Sequence, residues 1–218
     1  MKQRVIEKTA DGSDTLFIPE INEHYHSVKG ALTETQYIFI ECALLAHPSS
    51  TLKVLEVGFG TGLNALQTLE AAQHNKRFID YHTIEKYPLT IEEIEQLNFS
   101  SEGHFHALHQ APWEEKVQIT PYFAITKHLF DFTQLAQENI GKGYDVVYFD
   151  AFAPEKQPSM WTSQLFEQIY VLLNKEAILT TYCAKGVIRR MLQNIGFTVE
   201  RLPGPPDGKR EILRATKH

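Results

Sequence analysis

A chain of 218 residues with 43% hydrophobic and 22% charged side chains has room for one α/β domain with small additions, and enough apolar material to bury a core. No apolar run approaches the roughly 20 residues that a membrane-spanning helix needs. The opening Met1-Lys2-Gln3-Arg4-Val5-Ile6-Glu7 has a basic start but lacks the apolar stretch of a secretion signal. The net charge of −6 argues against a nucleic-acid partner for the chain as a whole. Its distribution argues the other way: Lys185, Arg189, Arg190, Arg201, Lys209, Arg210, Arg214 and Lys217 face only Glu200, Asp207 and Glu211 in the C-terminal segment. A basic face on an acidic body could contact phosphates. Cys42 and Cys183 stand in apolar surroundings and read as buried free thiols of a reducing, cytoplasmic compartment.

Residues 3–9 and 15–19 flank the turn signal Asp11-Gly12-Ser13-Asp14 and predict a β-hairpin. The stretch Asn22-Glu23-His24-Tyr25-His26-Ser27 has no period and is expected to fold over the mouth of a site. Thr33-Glu34-Thr35-Gln36 opens a helical run that stops near Pro48, and Thr35 and Gln36 could cap it or touch a ligand. From there strands and helices alternate. Strands are predicted at 53–57, 78–84, 122–128, 145–149, 177–182, 197–202 and 210–215; helices at 62–73, 89–97, 162–173 and 184–194, with a weaker one at 133–140. That alternation implies a Rossmann-like α/β fold, a seven-stranded, mostly parallel sheet covered on both faces. The short turn from Pro203 to Gly208 cannot hold a crossover helix, so one of the last two strands should run antiparallel. Residues 1–50 are expected to form a hairpin-and-helix extension packed on a core domain of residues 51–218.

The segment Lys53-Val54-Leu55-Glu56-Val57-Gly58-Phe59-Gly60-Thr61-Gly62-Leu63-Asn64 is a strand, a glycine turn and a helix start in succession. Gly58, Gly60 and Gly62 let backbone N–H groups approach a nucleotide-like ligand that a Cβ would push away. Glu85, at the end of the next strand, is placed to accept both hydroxyls of a ribose. Dinucleotides and S-adenosylmethionine share that ribose, so the spacing alone leaves both open. Two further carboxylates fall at strand ends: Asp131 could accept from an adenine amino group, and Asp150 ends the fourth strand. Glu56, just before the glycines, could reach a methionine amine.

Asp150 also begins Asp150-Ala151-Phe152-Ala153-Pro154, where a methyl acceptor would approach a sulfonium. Methyl transfer is an in-line displacement in which a protein mainly orients the nucleophile and excludes water. An amine nucleophile must first lose a proton, and Asp150 could hold the amine and take it.

Five segments carry a resemblance. They are Val57–Asn64, Ile84-Glu85-Lys86-Tyr87-Pro88-Leu89-Thr90, Asp150-Ala151-Phe152-Ala153-Pro154-Glu155-Lys156-Gln157-Pro158-Ser159-Met160-Trp161, Ala184–Arg190, and Gly208-Lys209-Arg210-Glu211-Ile212. Together with Gly30–Phe39 they resemble the methyltransferase half of the MnmC family of tRNA wobble-uridine enzymes. The resemblance implies a class I S-adenosyl-L-methionine-dependent methyltransferase fold. It implies transfer of a methyl group to the amine of 5-aminomethyl(-2-thio)uridine in the tRNA anticodon loop, with Asp150 beside that amine. Asn64 and Lys86, inside the matching segments, join the expected cofactor residues. The two-domain version carries an FAD-dependent oxidase for which this chain has no room, so no FAD is expected here and a separate oxidase is a candidate partner.

On the acceptor side Tyr25 could stack on an everted uracil or bond the amine, because chemistry on a base requires taking it from its stack. Gln36, Phe152, Pro154 and Trp161 are further candidates for the acceptor pocket, and Lys156, Arg189, Arg190, Lys209 and Arg210 for phosphate contacts. His104-Phe105-His106-Ala107-Leu108-His109 reads as a loop or strand with exposed histidines rather than a metal site, and no metal is expected. The alternatives are a small-molecule amine methyltransferase or aminopropyltransferase, a nicotinamide dehydrogenase, and a methyltransferase-like RNA-binding module without catalysis.

Overall fold

The structure, a computed structural model, describes residues 3–99, 103–206 and 208–218. At its N-terminus β1 (Val5–Lys8), β2 (Asp14–Ile18) and β3 (Glu23–His24) make a small antiparallel sheet. The predicted hairpin is its first half; β3 is the strand that the aperiodic 22–27 stretch did not reveal. α1 (Ala31–Thr35) then runs directly into a π-helical segment, Gln36–Leu44. Ile38, Phe39, Ile40, Cys42, Ala43 and Leu44 are buried there, which is the pattern of a segment inside a core rather than on a surface. π-turns are uncommon and concentrate at functional sites.

The main sheet contains β4 (Thr51–Val57), β5 (Phe78–Glu85), β6 (Lys116–Thr120), β7 (Phe123–Leu129), β8 (Tyr144–Phe149), β9 (Leu173–Thr181), β10 (Phe197–Pro203) and β11 (Glu211–Lys217). Its order is β10-β11-β9-β8-β4-β5-β7-β6. The seven predicted strands are all present, and β6 adds an eighth at the edge. Lys116-Val117-Gln118-Ile119-Thr120 alternates as a strand should, but it is short and gains its ladder only by pairing antiparallel with β7. β11 lies antiparallel to both β9 and β10, as the short turn before it requires. The remaining pairs are parallel, and β4 and β8 are buried along nearly their whole length, as central strands of a doubly covered sheet are.

α2 (Leu63–Asn75) buries Leu63, Ala65, Leu66, Leu69 and Ala72 at helical spacing against one sheet face, joined by α4 (His104–Gln110). The histidine-rich stretch is therefore a helix, in which Phe105 and Leu108 three residues apart turn into that core. α3 (Ile91–Gln96) starts from a Thr90–Glu93 capping box. α5 (Ser163–Leu172) and α6 (Gly186–Ile195) cover the other face. The weak helix expected near 133–140 is a 3₁₀ turn, Phe132–Gln137, capped by Asp131. After β4 the chain builds outward through β5 and β7, and after β8 it builds the other way through β9. That reversal opens a crevice above the carboxyl ends of β4 and β8. Among the described residues no helix is long and apolar enough to cross a membrane, and both cysteines are free and buried.

Candidate active site

A cleft of about 740 Å³ lies at this switch point, walled by the glycine loop, the ends of β5 and β8, and the N-terminal sheet. Gly58 has φ +96°, and a Cβ there would lie 3.1 Å from the Asp150 carbonyl oxygen. Gly60 has φ +52°, and its Cβ would lie 3.1 Å from the Tyr25 ring. Both positions combine left-handed backbone with close approach, conditions that glycine alone meets without strain. Gly62 sits behind the wall as the left-handed N-cap of α2.

Glu85 ends β5 with its carboxylate held from three sides. Oε2 accepts from the Gly60 N–H at 3.0 Å; Oε1 accepts from the Lys86 and Tyr87 N–H groups at 2.9 and 2.7 Å. Lys86 in turn reaches Asp131 across the rim, Nζ to Oδ2 at 2.7 Å. Partial burial pushes the Asp131 carboxyl up, but hydrogen bonds from Lys86 and Thr133 prevail and hold it below its ordinary range.

Asp150 follows β8 and faces the same cleft. Its Oδ2 accepts from Asn64 Nδ2 at 2.9 Å. Burial pushes this carboxyl up to about 7; the nearby Glu34 charge adds to that, while the Asn64 bond and Lys209 oppose it. Beside it, Tyr25 and Phe152 meet edge to face at 5.3 Å. Burial raises the Tyr25 hydroxyl to about 12, so it stays neutral, and it accepts from Arg4 Nε at 3.0 Å. Arg4 also bonds Glu93 and the Tyr87 carbonyl, which clasps the N-terminal sheet to the core. On the opposite rim Lys156 donates to the Ile21 carbonyl at 2.7 Å, closing the same sheet from the other side.

Of the residues singled out in the sequence, Gly58, Gly60, Asn64, Glu85, Lys86, Asp131, Asp150, Tyr25, Phe152 and Lys156 converge on this cleft. Glu56 does not reach its wall. It is fully buried one residue short of the strand end, where Thr83 donates to its Oε2 at 2.7 Å. Pro154 lies off the wall, and Gln36 is half-buried with its amide turned toward Glu41. Trp161 packs in the core against Phe149 and supports the site indirectly: its indole donates to the Phe152 carbonyl at 2.7 Å. Lys209 pairs with Glu34 and lies 4.0 Å over the Tyr182 ring, and Lys185, Arg201 and Arg214 also have carboxylate partners. Arg189, Arg190 and Arg210 have none among the described residues and stand outside the cleft. Arg4 carried no signal in the sequence beyond an ordinary strand pattern. No group of three or more His, Cys, Asp or Glu side chains is arranged to hold a metal among the described residues.

A family model for S-adenosyl-L-methionine-dependent methyltransferases matches residues 104–218. Among solved structures, MnmC2 from Aquifex aeolicus is similar at a TM-score of 0.82 and 25% identity, over 100% of this chain and 71% of that one. Spermidine synthase from Thermotoga maritima is similar at 0.60 and 13% identity, over 99% of this chain and 80% of that one. A probable spermidine synthase from Corynebacterium glutamicum matches at 0.58 and 14%, over 98% and 76%. At those two identities the likeness shows the fold alone.

Proposed function

This chain belongs to the S-adenosyl-L-methionine-dependent methyltransferase family, and from that premise we propose that it methylates the amine of 5-aminomethyl(-2-thio)uridine at the tRNA wobble position. The product is 5-methylaminomethyl(-2-thio)uridine. The observation that carries the reading is the Asp150 carboxylate, held by Asn64 and presented at the cleft beside the glycine loop and the Tyr25–Phe152 pair. The Asp150–Trp161 and Gly208–Ile212 motifs, together with the likeness to MnmC2, support tRNA as the substrate.

The cleft fits the cofactor by its own construction. Gly58 and Gly60 leave a cradle that side chains would fill, and Glu85, held by three backbone donors, would accept from the ribose hydroxyls. Lys86 and Asp131, paired on the cleft rim, would border the adenine, and Glu56 lies beneath the loop. When bound, S-adenosyl-L-methionine supplies an electrophilic sulfonium methyl. The protein's task is to deliver a neutral amine. A free alkylamine titrates near ~10, so the substrate arrives as an ammonium ion. Asp150 accepts its hydrogen bond and takes its proton, directly or through water; a carboxyl raised to about 7 is a better proton acceptor than an ordinary aspartate. Tyr25 and Phe152 offer an aromatic wall against which an everted base could pack, and exclude water from the amine. On this reading a separate FAD-dependent oxidase, a candidate partner, makes the aminomethyl group.

The test is incorporation of labelled methyl into aminomethyl-containing tRNA. Asp150→Ala should abolish most of it; unchanged turnover would remove Asp150 from the mechanism. Activity on a free polyamine, with none on tRNA, would move the reading to a small-molecule amine methyltransferase or aminopropyltransferase.

A further inference from the structure

Thr35, Asn64 and Asp150 form a chain of side-chain hydrogen bonds across three elements. Thr35 Oγ1 donates to Asn64 Oδ1 at 2.9 Å, and Asn64 Nδ2 donates to Asp150 Oδ2 at 2.9 Å. Thr35 and Asn64 are 1% and 3% exposed. We infer that they are positioning residues for methyl transfer, which fix one carboxylate oxygen of Asp150 and leave the other for the acceptor amine. The inference deepens the function proposed above and rests on it for the amine, though not for the network.

The argument is one of donors and acceptors. A carboxamide has one acceptor oxygen and one donor nitrogen, and a buried amide satisfies both ends. The Thr35 hydroxyl proton occupies Oδ1, which turns Nδ2 toward Asp150. Asn64 sits in the first turn of α2, where its backbone carbonyl accepts from Thr68 Oγ1 at 2.7 Å. Thr68 in turn contacts the Tyr148 hydroxyl at 3.2 Å. Thr35 is the last residue of α1, where the chain passes into the π-helical segment. Asp150 Oδ1 has no partner among the described residues, so one oxygen is anchored and one is available.

A donor aimed at a carboxylate favours its charged, proton-accepting form. The other groups facing Asp150 divide. Glu34 on α1 pushes its carboxyl up, as burial does, and Lys209 from the β10–β11 turn opposes. Glu56 on β4, Tyr81 on β5 and Tyr182 after β9 also lie within electrostatic reach of it. Asn64 is the sole side chain among the described residues that hydrogen-bonds to Asp150 directly. Thr35 does not line the cleft. Changing it therefore perturbs the base without removing a ligand contact.

The experiment follows the Asp150 side-chain carboxyl by ¹³C NMR titration in the cofactor-free protein for wild type, Thr35→Val, Thr35→Ser and Asn64→Ala. The pH dependence of kcat/KM on aminomethyl-tRNA and the Kd for S-adenosyl-L-methionine are measured alongside. The Asp150 midpoint should rise by about one pH unit in Asn64→Ala and somewhat less in Thr35→Val. Thr35→Ser should restore the wild-type midpoint, the acid limb of kcat/KM should move with it, and the Kd of Thr35→Val should stay unchanged. An unmoved midpoint in well-folded variants, or a serine variant that behaves like valine, overturns the inference. Normal titration shifts with no methylation of tRNA would uphold the network and sink the proposed function instead.

Discussion

Glu56 gives the most quantitative check on the electrostatics of this fold. Its carboxyl is 0% exposed, with one oxygen bonded to Thr83 and the other without a hydrogen-bond partner among the described residues. Burial pushes it up to about 8 from 4.5; the Thr83 bond opposes and the Asp150 charge adds. In the unfolded chain the proton leaves near 4.5, so between these two values the folded protein retains a proton that the unfolded chain has released. Stability must then fall as pH rises through that window, by about 1.4 kcal/mol per pH unit. The whole window corresponds to about 5 kcal/mol, and relaxation with water entry reduces this to about 2–4 kcal/mol. Glu56→Gln stays neutral at every pH and its carbonyl oxygen can still accept from Thr83. The variant should match wild type near pH 4.5 and exceed it by about 2–4 kcal/mol above pH 8 in urea unfolding of cofactor-free protein, with an unchanged m-value. Stability curves for the two proteins that run parallel across the window would refute the buried, protonated Glu56.

Glu85→Ala removes the acceptor for three backbone N–H groups and should weaken S-adenosyl-L-methionine binding by about 10–100-fold in isothermal titration; an unchanged Kd would exclude Glu85 from the cofactor site. Gly58→Ala forces a Cβ to within 3.1 Å of the Asp150 carbonyl at φ +96°, and should cost about 1–3 kcal/mol, read as a lowered Tm. Arg190→Ala and Arg210→Ala, which remove exposed cations lacking carboxylate partners among the described residues, should each reduce the salt dependence of tRNA binding by a slope of about one.

The glycine loop and Glu85 are legible in the chain because each is a local event. Glycines following a β-branched run, with Leu63, Leu66 and Leu69 at helical spacing after them, encode a strand, a turn and a helix within a dozen residues. The same holds for the seven predicted strands and for the antiparallel end of the sheet, which a short turn dictates. Edge strand β6 and strand β3 are less visible because they depend on a partner for their ladders. The histidine stretch misleads for a related reason: its helix is short, and Phe105 and Leu108 have meaning only against the core they enter.

Residue identity and strand-end position therefore determined that carboxylates would gather at the sheet's carboxyl edge. Only the tertiary structure decided which of them face the cleft. Glu56, one residue inside the end of β4, turns beneath the loop to Thr83, whereas Glu85, Asp131 and Asp150 reach the cleft. It likewise brought Thr35 to Asn64 across 29 residues, Asn64 to Asp150 across 86, and Arg4 to Glu93 across 89. Periodicity records which way a side chain points from its own backbone; the hydrogen-bond partner it finds there belongs to another element and is set by how the layers pack.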